Sequence, residues 1–469
     1  MIFNSIVFLI FFVIVFILYW AIPNQKIKTQ NILLLIASYV FYGWWDWRFL
    51  SLILFSTIVD YFLGIFIEKN KDNDRKAKLF LIFSLTTNLG LLGVFKYFNF
   101  FIDSWVDLWL LFGYEMSYSN LKIILPVGIS FYTFQTMSYS IDIYRKQLKP
   151  TKNFIAFATF VSLFPQLVAG PIERASNLIP QILNKRTWGY EKFKNGFFQI
   201  LIGFFRKVVV ADSIGAFIDG TYNNPEIHNS TTIAVAVLLY SFQIYFDFSG
   251  YSDIAIGTAK LLGFDFKRNF NLPYFSSSIT EFWRRWHISL SSWLKDYLYI
   301  PLGGNQHGIV KQYRNLILTM LLGGLWHGSS WNFVIWGLIH GILLAIEKKF
   351  QLIPKKYSFY NNMVIFILVS LIWIFFRALT LEDSMLILNR LFTGGYGMLY
   401  IGNINTFITL LYGLVIALCF DLFLFKKNIP LEEYGNTLKT SKFVIISNFI
   451  IVHIILFFSS ASNFIYFQF

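Results

Sequence analysis

Several stretches of this chain run without a charged side chain for longer than the roughly 18 residues that cross a bilayer as a helix, among them 227–246, 315–346, 357–376, 391–420 and 443–469. Helices on a soluble protein carry a polar face, so uncharged runs of this length cannot all be hidden from water. Lipid is the solvent that fits them. Charged residues make up 14% of the chain, against the roughly 25% that a soluble domain uses to cover itself, while 56% is hydrophobic and 20% aromatic. Membrane β-barrel strands alternate in polarity, and these runs do not. Helices, which satisfy their backbone within the segment, remain. The expected fold is all-α, a polytopic integral membrane protein of about 10–12 transmembrane helices, formed as a single membrane-embedded domain over residues 1–469.

The first charged residue is Lys26. Residues 1–22 have no basic flank and no small-residue cleavage site, so they read as a retained first span rather than a secretory signal. The net charge of +14 is assigned to cytoplasmic loop anchors and not to nucleic-acid binding. Lys69, Lys71, Arg75, Lys76 and Lys78 form one such loop, and Arg145, Lys146, Lys149 and Lys152 another. With these and Lys26 and Lys28 inside, the first span starts outside, two passes fit between residues 31 and 67, and two more between 79 and 143. The lone cysteine, Cys419, excludes a disulfide scaffold and a multi-cysteine metal site, and its apolar run suggests a small core residue.

Polar groups at membrane depth are costly, which makes each a functional candidate. Residues 315–346 would form a helix of about 48 Å against about 30 Å of hydrocarbon. The segment must therefore break or protrude. Gly323, Gly324 and Gly328 are poor helix formers and Ser329 and Ser330 are good caps, which puts the break near His327. Irregular backbone at that depth lies inside protein or along a cavity, so His327 is either reachable by a ligand or a buried histidine satisfied by a carbonyl. His340 and His453 read as buried structural residues, and His228 and His307 as loop residues.

Residues 279–300 read as one amphipathic interfacial helix. Phe282, Trp286, Leu290, Trp293 and Tyr297 make its apolar stripe, with Arg284, His287, Ser291 and Lys295 on another face. Arg284, Arg285 and Trp286 are candidates for binding an anionic donor, or else headgroup anchors. A third cluster supplies the polar groups Asp247, Ser249 and Asp253; Asp247 either orients a histidine, pairs with an arginine of the 282–287 segment, or caps a helix. Residues 165–174, with two prolines and a glycine, read as an interrupted or re-entrant segment. No Gly-x-Ser-x-Gly elbow, His-Glu-x-x-His helix or phosphate-binding Gly-x-x-x-x-Gly-Lys-Ser/Thr loop occurs. The chemistry is expected to rest on histidine, without a metal or nucleotide hydrolysis.

A histidine in Gly-Gly-Leu-Trp-His-Gly-Ser-Ser-Trp (323–331), preceded by another in Phe-Trp-Arg-Arg-Trp-His-Ile-Ser-Leu-Ser (282–291), resembles the membrane-bound O-acyltransferase family, and within it the bacterial alginate O-acetylation subgroup. Residues 126–135, 165–174, 206–209, 246–257, 299–305 and 464–469 extend the likeness over essentially the whole chain. The resemblance implies a helical fold around a central tunnel, with His327 as the catalytic histidine and His287 as its second motif histidine. It implies transfer of an acyl group, most simply acetyl, from a cytoplasmic thioester such as acetyl-CoA to a hydroxyl at the other face. It also implies an exported or cell-surface polysaccharide acceptor, an extracytoplasmic partner that receives the acyl group, and a multi-pass place in the bacterial cytoplasmic (inner) membrane. No permanently bound cofactor is implied. Relatives act on alginate, cellulose, peptidoglycan or teichoic acid, and no motif names the acceptor. The rival reading is a secondary transporter with His327 as proton relay, although the matching interruptions in two halves that such a fold favours are not found. A further alternative keeps the chemistry with a lipid or protein acceptor.

Overall fold

The computed structural model describes residues 1–116, 121, 123–167, 170–352, 354, 357–458 and 464–465. The expectations for Val168, Ala169 and residues 466–469 lie outside these. Among the described residues the regular structure is helical, without a strand. The helices group into two compact units, one of Met1, Ser5–Gly189 and Leu261–Phe266, the other of Ile2–Asn4, Tyr190–Lys260 and Lys267–Phe469.

The first unit holds α1 (Ile6–Ala21), α2 (Ile27–Asp46), α3 (Leu50–Lys69), α4 (Asp74–Leu92), α5 (Phe98–Leu111), α6 (Ile129–Tyr144), α7 (Phe154–Ser162), α8 (Phe164–Leu167) and α9 (Ala175–Leu183). Ser5 starts α1 by accepting from the Phe8 amide, and Ile10, Ile14 and Ile17 on its outer face are 58%, 53% and 60% exposed. A face that apolar is stable only against hydrocarbon or a partner. Residues 145–152 lie between α6 and α7 as expected, whereas the other basic loop is shorter than expected: Lys69 ends α3, only residues 70–73 connect the helices, and Arg75, Lys76 and Lys78 lie in the first turns of α4. The 165–174 segment is interrupted: α8 is a single turn, and α9 begins at Ala175.

The second unit holds α10 (Tyr190–Phe204), α11 (Asp212–Asn223), α12 (Ser230–Leu261), α13 (Ile279–Arg285), α14 (Ile288–Leu294), α15 (Ile309–His327), α16 (Trp331–Lys349), α17 (Phe359–Arg377), α18 (Leu381–Thr393), α19 (Ile404–Lys427), α20 (Leu431–Thr437) and α21 (Thr440–Phe457). A π-helical segment, Phe205–Ala211, follows α10. Six stretches among the described residues are long and apolar enough to cross a membrane: Ile27–Lys69, Asp74–Leu111, Ser230–Leu261, Phe359–Arg377, Ile404–Lys427 and Thr440–Phe457. The first two contain two helices each, α2 with α3 and α4 with α5. The chain is thus a multi-pass helical membrane protein. Cys419 lies on the exposed face of α19 rather than in a core, because an apolar run facing lipid gives no polar side by which to tell outside from inside.

Two glycine-lined crossings set the helices that carry the site. Between α15 and α16, a Cβ on Gly324 would stand 2.1 Å from the Phe333 carbonyl oxygen, and one on Gly337 would stand 2.3 Å from that of Met320. Between α10 and α12, a Cβ on Gly203 would stand 2.6 Å from the Gly250 oxygen, and one on Gly257 would stand 2.6 Å from that of Gly196. Small residues let backbones approach this closely, which is how helices associate where burial in lipid gives no hydrophobic drive.

Candidate functional site

The break predicted in residues 315–346 is present: α15 ends at His327, Gly328 is extended, and the Ser330 side chain caps α16 by accepting from the Asn332 amide at 3.3 Å. His327 is 4% exposed. Its ring meets those of Trp326, Trp336 and Phe376 edge-on, at centroid separations of 5.0, 5.1 and 5.3 Å. Edge-to-face packing of this kind fixes ring orientation.

Residues 279–300 are not one helix. Here α13 and α14 are seven residues each, too short to cross a membrane, and a π-helical turn Lys295–Tyr299 follows. The break falls at His287, whose φ of 41° is left-handed, a costly conformation for a side chain with a Cβ and one held only where surroundings impose it. Tertiary contacts impose it here. Glu347 of α16 accepts from the Ile279 and Thr280 amides at 2.7 and 2.8 Å, pinning the start of α13. Residues 269–271 strap the break, with Asn271 N–H donating to the Arg285 carbonyl and Ile288 N–H to that of Asn269. Trp286 is fully buried among Phe270, Phe282 and Trp373. Periodicity cannot signal a kink made by a distant strap.

The kink turns His287 inward. It is 0% exposed, its ring centroid lies 6.3 Å from that of His327, and Phe248 of α12 meets it edge-on at 4.7 Å. Its Nδ1 lies 3.0 Å from Asn269 Oδ1. Burial pushes its imidazole pKa down to about 3, which keeps the ring neutral near pH 7. The two motif histidines are thus brought together at two helix breaks.

Asp247 lies inside α12, so it caps no helix, and among the described residues it pairs with neither a histidine nor an arginine of the 282–287 segment. It pairs with Lys207, at 2.6 Å, which also reaches Asp212 at 2.9 Å, and accepts from the Ile465 backbone N–H at 2.8 Å. The next residue back, Arg206, bonds Asp253 at 2.7 Å and Asp421, and Tyr245 donates to Asp421 at 2.9 Å. The π-helical segment lets consecutive cations address different carboxylates. Ser249 is buried, and its Oγ has no hydrogen-bond partner among the described residues.

Of the residues expected to bind the donor, Arg284 lines a groove of about 500 Å³ together with Lys295, Lys348 and the apolar Leu316, Met320 and Leu344. Arg285 is held by Glu281 at 2.8 Å and by the Asn271 carbonyl at 3.1 Å. Trp286 is buried away from that groove. His340 is a buried structural histidine that accepts from Trp283 Nε1 at 3.3 Å. His453 is only half-buried, and bonds the Tyr412 hydroxyl at 2.6 Å. Sequence reasoning missed Asn269, Trp336 and Lys348. Asn269 lies outside both histidine motifs, Trp336 reads as one more apolar residue of α16, and nothing local sets Lys348 apart from the other basic residues at helix ends.

Residues 145–381 match the membrane-bound O-acyltransferase family. The chain is 45% identical over 399 residues to a probable alginate O-acetylase of Pseudomonas aeruginosa, covering 84% of this chain and 75% of that protein. It is 38% identical over 386 residues to a peptidoglycan O-acetyltransferase of Helicobacter pylori, covering 76% and 72%. A teichoic acid D-alanyltransferase of Bacillus subtilis is 28% identical over 250 residues, covering 50% and 62%.

Proposed function

The chain belongs to the membrane-bound O-acyltransferase family and is a membrane O-acyltransferase, and from that premise we propose that it moves an acetyl group from a cytoplasmic thioester to a hydroxyl at the outer face, using His327 as general base, for O-acetylation of an exported or cell-surface polysaccharide. The observation that carries this reading is the buried pair of motif histidines, 6.3 Å apart between ring centres.

The donor enters by the basic groove. Lys311 and Arg314 near the start of α15 and Lys348 and Lys349 at the end of α16 mark one end of the hairpin as cytoplasmic. Arg284, Lys295 and Lys348 pair with the phosphates of acetyl-CoA or a similar thioester. From Met320 in the groove lining to His327 is seven residues of α15, about 10 Å, a distance that the slender arm of such a thioester can cover. The attacking hydroxyl gives its proton to His327 as its oxygen bonds to the carbonyl carbon. Collapse breaks the carbon–sulfur bond, and the leaving thiolate takes the proton back. The Trp336 indole N–H, buried beside His327 and without a hydrogen-bond partner among the described residues, is the donor available to the developing oxyanion. Aromatic walls exclude the water that would hydrolyse the thioester.

A polymer cannot itself reach histidines that are 4% and 0% exposed. A separate extracytoplasmic protein therefore collects the acyl group and passes it to the polysaccharide, and the chain works in a bacterial cytoplasmic membrane. The test is proteoliposomes with labelled acetyl-CoA inside and polysaccharide outside. Label is expected outside only when the partner is added, and His327→Ala should remove roughly 10² to 10⁴ of the rate while the protein still inserts and keeps its thermal stability. Wild-type transfer by His327→Ala would remove that histidine from the mechanism, and efficient transfer without a second protein would remove the partner.

A further inference from the structure

His287 has two ring nitrogens, and which one carries the proton decides whether it can accept or donate at the reaction centre. The surroundings of Asn269 settle that choice. Asn269 is fully buried in the strap that kinks the chain at His287, and its Oδ1 receives three groups: the Ser289 backbone N–H at 3.3 Å, the Ser289 hydroxyl at 2.9 Å and His287 Nδ1 at 3.0 Å. A backbone N–H can only donate, so the atom that it faces must be the amide oxygen and not the amide nitrogen. The amide Nδ2 points the other way and donates to Ser252 Oγ of α12 at 3.0 Å, which holds the amide in that orientation. An oxygen can only accept, so His287 Nδ1 must carry its hydrogen. In the neutral ring that leaves Nε2 as a bare lone pair, and this atom is buried with no hydrogen-bond partner among the described residues.

We infer that Asn269 is a positioning residue that locks His287 in the Nδ1–H tautomer and so makes its Nε2 a permanent acceptor at the reaction centre. The inference rests on the two-histidine reading above and adds to it a direction for the proton. A group that approaches Nε2 must bring a hydrogen: the attacking hydroxyl, or His327 once it has taken that hydroxyl's proton. Both uses need the same tautomer. The opposite tautomer would present an N–H there, which would bind the substrate carbonyl instead and repel a protonated His327. The aromatic rings of Phe248, Phe270 and Trp326 around His287 offer no competing strong acceptor, so removal of the Asn269 oxygen frees the ring to change tautomer.

The experiment combines nitrogen-15 NMR with kinetics on the full-length protein in detergent. With histidine labelled and the His287 signals assigned by their loss in His287→Gln, the wild type is expected to show a protonated Nδ1 and an unprotonated Nε2. Asn269→Ala should mix the two forms and lower kcat roughly 10²-fold, in the range seen when the partner that fixes a histidine tautomer is removed, with the donor KM nearly unchanged. Asn269→Asp keeps an acceptor for all three donors, and Ser252 can turn its hydroxyl to donate. That variant should keep the Nδ1–H form, recover activity to within about tenfold of wild type, and move the acid limb of its pH profile upward, because a carboxylate favours the charged ring. A wild-type spectrum with Nε2 protonated, or an Asn269→Ala spectrum unchanged from wild type, would overturn the inference. The spectra do not depend on any acyl transfer, so an expected spectrum with inactive wild-type protein would instead count against the acyltransfer reading of the pair.

Discussion

Gly324 lies one helical turn before His327, and its neighbour Gly323 shares its helix, its sequence context and its gain in helix propensity on mutation, about 1 kcal/mol for glycine to alanine. The two should nevertheless behave oppositely. A Cβ on Gly323 meets one atom, Leu294 Cδ1 at 3.0 Å, whereas one on Gly324 would sit 2.1 Å from the Phe333 carbonyl oxygen and 3.1 Å from Gly337 Cα. An ordinary carbon–oxygen contact is roughly 3.3 Å, so Gly324→Ala must push α15 from α16 by about 1 Å. The obstructing atoms at Gly324, the Gly337 nitrogen at 3.1 Å among them, are all backbone, and no rotamer change can relieve them. Overpacking of that kind costs about 1 to 3 kcal/mol, which offsets the propensity gain or exceeds it. The larger effect is on the site, since a shift of about 1 Å in a catalytic group lowers rate roughly 10²-fold. Acyl transfer from labelled acetyl-CoA, measured alongside thermal unfolding in the same detergent, should show Gly323→Ala within a few-fold of wild type and Gly324→Ala down about 100-fold with a folded protein. Equal loss in both, or a wild-type kcat for Gly324→Ala, would refute the claim that this crossing positions His327.

Asp421→Asn should destabilise the protein by about 3 to 5 kcal/mol, because Arg206 would keep only Asp253 as a charged partner in a buried site; a thermal unfolding midpoint equal to wild type would show that the pair contributes little. Stability should also fall as pH drops. His287 is held near a pKa of about 3 by burial while an unfolded histidine titrates near 6.5, so below that value the unfolded state binds more protons and gains relative to the native one. The loss from this one group between pH 6.5 and 5 is on the order of 2 kcal/mol, and His287→Gln should flatten that part of the stability profile.

The membrane solvent, the helical class and the multi-pass character were written in the sequence, because lipid demands long uncharged runs and the chain supplies them where α12, α17, α19 and α21 form. The break after His327 was legible for a similar local reason: glycines and serines that end one helix and cap the next lie side by side at 323–330. The exposed position of Cys419 and the kink at His287 were not legible. An apolar stripe with helical spacing runs straight through residues 282–297, and only the strap from Asn269 and Asn271 and the Glu347 cap on α13 force the backbone into a left-handed turn there. The partners of Asp247 were hidden by the same cause. Spacing along one helix states which residues share a face but not which face of another helix will meet it, and the glycine crossing of α10 with α12 is what delivers Lys207 to that carboxylate. Local composition fixes solvent, helix ends and caps through short-range forces. Pairing of His287 with His327, the choice of tautomer at His287 and the sorting of buried charges depend on contacts between residues far apart in the chain, which only the packed structure decides.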